Sequence, residues 1–232
     1  MSDRRARVAV IIPALNEEKS IGSVIEAIPR ALAPDIVVVD NGSSDETAAI
    51  ARAGGARVVH EPRRGYGSAC LAGIAALAGP EVVAFLDADF SDDPALLTQL
   101  VRPILAGEVD FVIGSRMTGR RERGALPPHS RFGNWLAGRI LTHLYRQPTT
   151  DLGPLRAIRG DTLARLDMQD RGYGWTMEMQ AKAARLRVPT LEIPVPYRKR
   201  IGRSKITGSL WPSMQASYVI LATAFRCLRW RP

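Results

Sequence analysis

Val82-Val83-Ala84-Phe85-Leu86-Asp87-Ala88-Asp89 is an apolar run that ends in two carboxylates and continues as Phe90-Ser91-Asp92-Asp93-Pro94. Five consecutive uncharged residues rich in Val, Phe and Leu read as a strand buried on both faces. The acids then sit at its carboxyl end. Side chains at i and i+2 of an extended chain share a face, so Asp87 and Asp89 can point at one spot, where two hard oxygen ligands suit Mg²⁺ or Mn²⁺. Such an ion would complete its shell with phosphate oxygens. Asp93 before Pro94 has the look of an N-cap and a first helical residue, which puts the acids between a strand end and a helix start. Taken alone, two acids at this spacing read more readily as a pair of loop residues, and it is the rest of the chain that reverses the balance.

The neighbouring segments repeat the same grammar. Residues 7–12 form an apolar strand stopped by Pro13, followed by a polar turn and a helix carrying Ile21, Val24, Ile25 and Ile28 at helical spacing. Residues 36–39 form a second strand that ends in Asp40-Asn41-Gly42-Ser43-Ser44-Asp45-Glu46. Ser43 and Glu46 have capping-box spacing, which predicts a helix over 44–52. A short third strand, 57–60, leads through Arg63-Arg64-Gly65-Tyr66-Gly67-Ser68 into a small-residue helix over 69–78. Four strand–helix units in succession predict an α/β fold with a mostly parallel sheet flanked by helices, whose ligand crevice lies outside the carboxyl ends of the strands. Asp40, Asp87 and Asp89 all fall at such ends.

Further along, 111–114 reads as a strand, and Arg120-Arg121-Glu122-Arg123-Gly124 as a mobile loop closed by Pro127 and Pro128. Residues 130–145 read as a helix, 155–158 as a strand, 177–186 as a helix and 191–195 as a proline-bounded edge strand. The expected division is a catalytic domain over 1–208 and a C-terminal amphipathic helix over 209–232. From Ile206 to Phe225 no residue is charged, and Trp211, Met214, Tyr218, Leu221, Phe225 and Leu228 recur at three-and-four spacing. That stripe fits either docking on the protein's own core or attachment to a membrane surface, where the following arginines beside Trp230 would suit anionic lipid. Pro212 and the many Ser, Thr and Gln residues make it a poor spanning segment.

The chain has 232 residues, 46% apolar and 24% charged, as for an ordinary soluble domain. A net charge of +9 asks for an anionic partner: nucleic acid, an acidic membrane or a phosphorylated substrate. Cys70 and Cys227 have neither metal-ligand spacing nor a disulfide pattern, which fits a reducing cytosol, and no signal peptide is read before the first strand.

Several motifs carry chemistry. Asp40 is placed to accept from a nucleobase or ribose, though polar punctuation alone would explain it. The turn Arg64-Gly65-Tyr66-Gly67-Ser68 before a helix resembles a phosphate cradle but matches no established phosphate-loop pattern, so a plain flexible turn is the default reading. Tyr197-Arg198-Lys199-Arg200-Ile201-Gly202-Arg203-Ser204-Lys205 holds five cations and no acid. It is a solvated face or a loop wrapping a pyrophosphate, which Arg116 and Arg131 could join. Nucleic-acid binding would prefer exposed aromatics among the cations or a recognisable reader module, and neither is apparent. Glu178, in the first turn of its helix, either complements the helix dipole or acts on an acceptor hydroxyl.

In order, Ile12-Pro13-Ala14-Leu15-Asn16-Glu17-Glu18, Val39-Asp40-Asn41-Gly42-Ser43-Ser44-Asp45, Arg64-Gly65-Tyr66-Gly67, Asp87-Ala88-Asp89, Gly114-Ser115-Arg116 and Arg200-Ile201-Gly202-Arg203-Ser204-Lys205 resemble the family 2 glycosyltransferases, most closely the dolichyl- or polyprenyl-phosphate sugar synthase branch. The resemblance covers nearly the whole chain and implies a GT-A fold that binds a nucleotide-sugar and a divalent metal, Mg²⁺ or Mn²⁺. By motif, Pro13, Leu15, Glu17 and Asp40, with Arg64, Gly65 and Ala88, would line the nucleotide-sugar pocket. Asp87 and Asp89 would hold the metal. Arg116, Arg131, Arg200, Ser204 and Lys205 would hold the diphosphate and the acceptor phosphate, and Asp89, Glu178 and Arg200 form the expected catalytic set. Transmembrane helices of the longer members are not seen here, and Asp151-Leu152-Gly153-Pro154-Leu155-Arg156 replaces a Ser-Gly-Phe-Arg-like segment. The resemblance implies an inverting transfer of hexose from a UDP-glucose or GDP-mannose type donor to a polyprenyl phosphate, at the cytoplasmic face of the membrane. A soluble enzyme acting on a small hydroxylated acceptor is the alternative, and a basic nucleic-acid-binding module a distant one. The oligomeric state stays open.

Overall fold

The computed structural model describes residues 8–32, 34–202 and 210–231. Strands β1 (Val8–Ala14), β2 (Asp35–Asp40), β3 (Arg57–His60), β4 (Val82–Phe85), β5 (Phe111–Ser115), β6 (Arg156–Arg159) and β7 (Thr190–Pro194) form one sheet in the order β3-β2-β1-β4-β6-β5-β7. β1 lies between β2 and β4, which is why its residues are apolar on both faces. Only β6 runs antiparallel to its neighbours, β4 and β5. The sheet is therefore mostly parallel, as expected.

Helices α1 (Ile21–Ala27), α2 (Thr47–Ala53) and α4 (Leu97–Leu105) cover one face through Val8, Val10, Ile12, Val38 and Ala84. On the other face α3 (Tyr66–Ala75), α6 (Gly160–Leu166) and α7 (Trp175–Arg185) bury Ile11, Val37, Val39, Val83 and Phe85. Each fully buried aliphatic side chain contributes about 1.5–3 kcal/mol, so both faces are strongly specified. A third apolar cluster joins α7 to α5 (Pro128–Tyr145) and α8 (Leu210–Leu228) through Leu141, Met177, Ala181, Ala224 and Cys227.

Several expectations shift. The fourth strand stops at Phe85, so Asp87 belongs to the turn beyond it. Helix α2 starts at Thr47 without the expected capping box: Asp45 Oδ1 accepts from Thr47 N at 3.1 Å, and Ser43 Oγ instead accepts from Asn16 N at 2.9 Å. Competition from the Asn16 turn redirects the serine. Asp93 does cap the next helical segment, accepting from Ala95 N at 3.2 Å, with Pro94 opening a 3₁₀ turn ahead of α4. The loop read as mobile is tied down, with Tyr197 N donating to Arg120 O at 2.9 Å and Glu122 N donating to Tyr197 O at 2.9 Å. Among the described residues no helix is long and apolar enough to cross a membrane.

Candidate functional site

Register brings the strand ends together. Ala14 pairs with Asp40 and Ile11 with Phe85, and Leu86 N donates to Ile11 O at 3.2 Å, so the residues after β4 emerge beside the ends of β1 and β2. Pro13 and Leu15 line this edge half-buried, and Glu17 and Asp40 are buried there. Ser43 N donates to Asp40 Oδ1 at 2.9 Å, and the His60 ring lies 3.2 Å from Oδ2. Burial opposes the charge on Asp40, but hydrogen bonds from Ser43 and the neighbouring His60 outweigh it and hold the carboxyl below its usual range.

Asp87 and Asp89 form the centre. Burial, and then the charge of Asp89, push Asp87 from 3.8 up to about 7, against the pull of Arg116, a Tyr66 hydrogen bond and Arg200. Asp89 is pinned through Oδ1 by Ser91 N at 2.9 Å, while its Oδ2 lies 3.3 Å from Arg200. Between them in space the same guanidinium reaches Glu17 at 2.9 Å, joining the β1 and β4 edges. The 198–201 segment runs against this turn: Ile201 N donates to Asp89 O and Arg198 N to Ser91 O, both at 2.9 Å. Phe90 takes a φ of 60, a left-handed conformation that a bulky residue rarely adopts and that concentrates at functional sites.

Arg116 is locked in place by Asp151, which accepts from its backbone N at 2.7 Å, its Nε at 2.8 Å and its Nη2 at 2.7 Å. Burial disfavours the charge on Arg116, yet Asp151 outweighs it and keeps the guanidinium firmly protonated. Gln180 Nε2 in turn donates to Asp151 O at 3.0 Å.

The fit of a divalent cation can be judged from these groups. Two carboxylates crowd each other, and the buried Ser91 Oγ and both Asp92 oxygens lack hydrogen-bond partners. Burial drives the Asp92 carboxyl well above its usual range. Crowded, under-satisfied oxygens suit a hard cation. No group of three or more His, Cys, Asp or Glu able to hold a metal occurs among the described residues, so Asp87 and Asp89 would supply two ligands and leave the rest to substrate oxygens or water.

Other expected residues are placed differently. In the Gly65-Tyr66-Gly67 turn most N–H groups are committed within the chain: Gly65 N donates to Asn41 Oδ1 at 2.8 Å, Gly67 N to Gly172 O at 3.2 Å and Ser68 N to Arg171 O at 3.0 Å. A Cβ at Gly67 would meet Asp170 O at 2.0 Å, so close backbone packing explains the glycine. Arg64 donates to Gly42 O at 2.9 Å, and Ala88 is buried in the core, leaving only its backbone to a ligand. Arg131 is exposed on α5 and shares no hydrogen bond or ion pair with the carboxylates among the described residues. Glu178 is not brought to the site: buried, it accepts from Gln169 N at 3.1 Å and Asp170 N at 2.8 Å and pairs with Lys182 at 2.9 Å. Ser204 and Lys205 lie outside the described residues. Asp151, Asn41, Tyr66 and Asp92 were missed as site-builders. Each lies within a stretch quoted above, Asn41 and Tyr66 in the resemblance motifs, Asp92 after the paired acids and Asp151 at the head of the divergent 151–156 segment, but spacing alone assigns none of them a partner.

Residues 9–166 match the family described as glycosyl transferase family 2. An uncharacterized glycosyltransferase of Mycobacterium tuberculosis is 41% identical over 216 residues, covering 90% of this chain and 94% of its own. An undecaprenyl-phosphate mannosyltransferase of Micrococcus luteus is 31% identical, covering 88% and 89%, and a dolichyl-phosphate hexose transferase of Haloferax volcanii is 33% identical, covering 86% of each chain. Among solved structures, glucosyl-3-phosphoglycerate synthase from Mycobacterium tuberculosis in complex with phosphoglyceric acid superposes with a TM-score of 0.77 at 26% identity, covering 96% of this chain and 80% of that one. The same enzyme with Mn²⁺, uridine-diphosphate and glucosyl-3-phosphoglycerate gives a TM-score of 0.76 at 25% identity, covering 96% and 80%.

Proposed function

The chain belongs to glycosyl transferase family 2, with a GT-A fold and the chemistry of a nucleotide-sugar-dependent hexosyltransferase, and from that premise we propose that it moves a hexose from a nucleotide-diphospho-sugar to a phosphate-bearing acceptor with inversion at the anomeric carbon. The observation that carries this reading is the Glu17–Arg200–Asp89 bridge beside Asp87, which sets two carboxylates and a guanidinium at the shared edge of β1 and β4. Asp40 and the β1 edge would hold the nucleoside through acceptor oxygens. Arg116, fixed by Asp151, and Arg200, released from its carboxylates, would face the diphosphate. Asp87 and Asp89 would hold Mg²⁺ or Mn²⁺, and the Mn²⁺ in the solved relatives supports a divalent cation. When bound, such a cation offsets negative charge growing on the leaving diphosphate.

An acceptor oxygen forms the new bond to the anomeric carbon as the bond to the diphosphate breaks on the opposite side, with the electron pair leaving on the diphosphate. Prepositioned cations stabilise that charge without reorganising, usually the largest share of catalysis. A phosphate-monoester oxygen is already ionised near neutral pH and needs no general base, whereas a hydroxyl acceptor would pass its proton to a base other than Glu178, which is committed to Lys182.

The phosphate has two candidate sources. A polyprenyl phosphate is supported by the two lipid-phosphate transferases, and peripheral attachment at the cytoplasmic membrane face goes with it. A small soluble phosphorylated acceptor, with a hydroxyl as nucleophile, is supported by the solved phosphoglycerate complexes, toward which the structural likeness weighs.

The test incubates the protein and Mn²⁺ with labelled UDP-glucose or GDP-mannose, and with either polyprenyl phosphate or 3-phosphoglycerate, then separates water from organic solvent. Label entering the organic phase establishes the lipid acceptor. Label in a new water-soluble phosphosugar establishes the small one. No transfer to either, with nucleotide-sugar binding intact, removes the phosphate-bearing acceptor.

A further inference from the structure

Helix α5 buries Asn134, Ala137, Gly138 and Leu141 against its neighbours. Phe132 and Trp135 stand on the opposite side, 62% and 54% exposed, with ring centroids 5.7 Å apart. At 100° per residue Phe132 falls near the centre of the solvent face and Trp135 on its flank, and both rings stand largely in solvent. Arg131 and Arg139 are exposed on that same face, and the helix sequence contains no acidic residue. Helix α8, which meets α5 where the Tyr145 hydroxyl donates to Ala224 O, repeats the arrangement. It turns Ile220, Ala224 and Cys227 inward and leaves Tyr218 73% and Phe225 57% exposed, and Arg229, just past the helix end, is exposed as well.

Two adjacent helices thus each hold aromatic side chains in water, with exposed arginines on or next to the same helix. We propose that the solvent faces of α5 and the C-terminal half of α8 form a docking surface for an anionic lipid bilayer, with Phe132 and Trp135 as its principal anchors. Aromatic rings prefer the boundary between headgroups and acyl chains, and arginines beside them attract anionic headgroups. A second copy of this chain fits less well, because a two-fold contact through α5 would bring Arg131 and Arg139 against their own counterparts without an acid on that helix to compensate. The inference rests on the lipid-phosphate reading, for which it names the surface that would bring the chain to its acceptor.

Co-sedimentation with phosphatidylcholine vesicles containing phosphatidylglycerol, and no polyprenyl phosphate, tests the surface apart from the reaction. The wild type is expected to bind these vesicles, to bind pure phosphatidylcholine weakly and to release in high salt. Phe132→Ser/Trp135→Ser should weaken binding about tenfold or more, since each ring contributes on the scale of a buried aromatic. Both side chains are exposed, so the melting temperature and nucleotide-sugar affinity should hold. Arg139→Glu gives an independent loss confined to anionic vesicles. Failure of the wild type to bind, or binding by the double variant equal to wild type, overturns the proposal. So does sedimentation showing that the double variant dissociates a dimer that ignores vesicles. Vesicle binding without hexose transfer to polyprenyl phosphate keeps this surface and removes the lipid acceptor.

Discussion

Two ionic clusters in this molecule use the same ingredients to opposite ends. At the start of α7, Glu178 and Lys182, each 3% exposed in its side chain, pair at 2.9 Å, and the carboxylate also takes the N–H groups of Gln169 and Asp170. Asp170 accepts from Gly172 N at 2.9 Å, Thr223 Oγ1 at 3.2 Å and Arg226 at 2.7 Å. Those oxygens are supplied with donors from within the chain, so the desolvation of the charges is offset internally and the cluster fastens the 167–172 turn to α7 and α8. Beyond β4 the balance is left incomplete. Asp87 is pushed toward neutrality, Asp92 and Ser91 hold unpaired oxygens, and the Nε of Arg200 has no partner. The saturated cluster fastens the fold, whereas the unsaturated one beyond β4 is where the proposed donor and cation would bind.

Asp89→Asn should test the unsaturated side most severely. Transfer is expected to fall about a thousandfold, the scale seen when a charge-stabilising group is removed, with an unchanged or raised melting temperature. Near-normal turnover in a single-turnover assay would break the contrast. On the saturated side, Glu178→Gln should cost about 3 kcal/mol in urea unfolding, because Lys182 stays buried without its counter-charge. Turnover per folded molecule should persist. Lost turnover at unchanged stability would instead make Glu178 catalytic.

The smallest effect concerns pH. Because Asp87 is raised from 3.8 to about 7, the folded state binds more protons than the unfolded state across that interval, and metal-free protein should lose stability as pH rises through it. Asp87→Asn should flatten that slope by a few degrees of melting temperature, and added Mn²⁺ should stabilise the wild type increasingly over the same window. A wild-type slope identical to the variant's would show that the carboxylates are not under mutual strain.

The parts of the site legible in the sequence were local ones. Asp40 and Asp87 announce themselves because each directly follows an apolar run, Asp89 because it stands two residues beyond Asp87, and strand ends collect at one edge of a parallel sheet. The parts that were not legible depend on distant partners. Arg116 and Asp151 are 35 residues apart, and only their bidentate contact identifies the aspartate as the holder of the arginine. Gly65 and Gly67 looked like a phosphate cradle because a glycine turn before a helix has one local signature, whether an anion or the 170–172 backbone fills the space. Helix α6 went unread, and the Ser43 cap was lost to Asn16, since competing hydrogen bonds are invisible to spacing.

The amino-acid sequence by itself determined the alternation of strands and helices, the acids at strand ends, the family, and the basic character that calls for an anionic partner. Periodicity and composition are properties of the chain, and they survive any arrangement of its elements. Only the tertiary structure decided which charges are satisfied and which faces are covered. The aromatic stripe of α8 could have docked inward, yet Ala224 and Cys227 fit the close approach to α7 and leave Tyr218 and Phe225 in solvent. Burial and pairing are relations between segments far apart in sequence, so they exist only once the chain has packed.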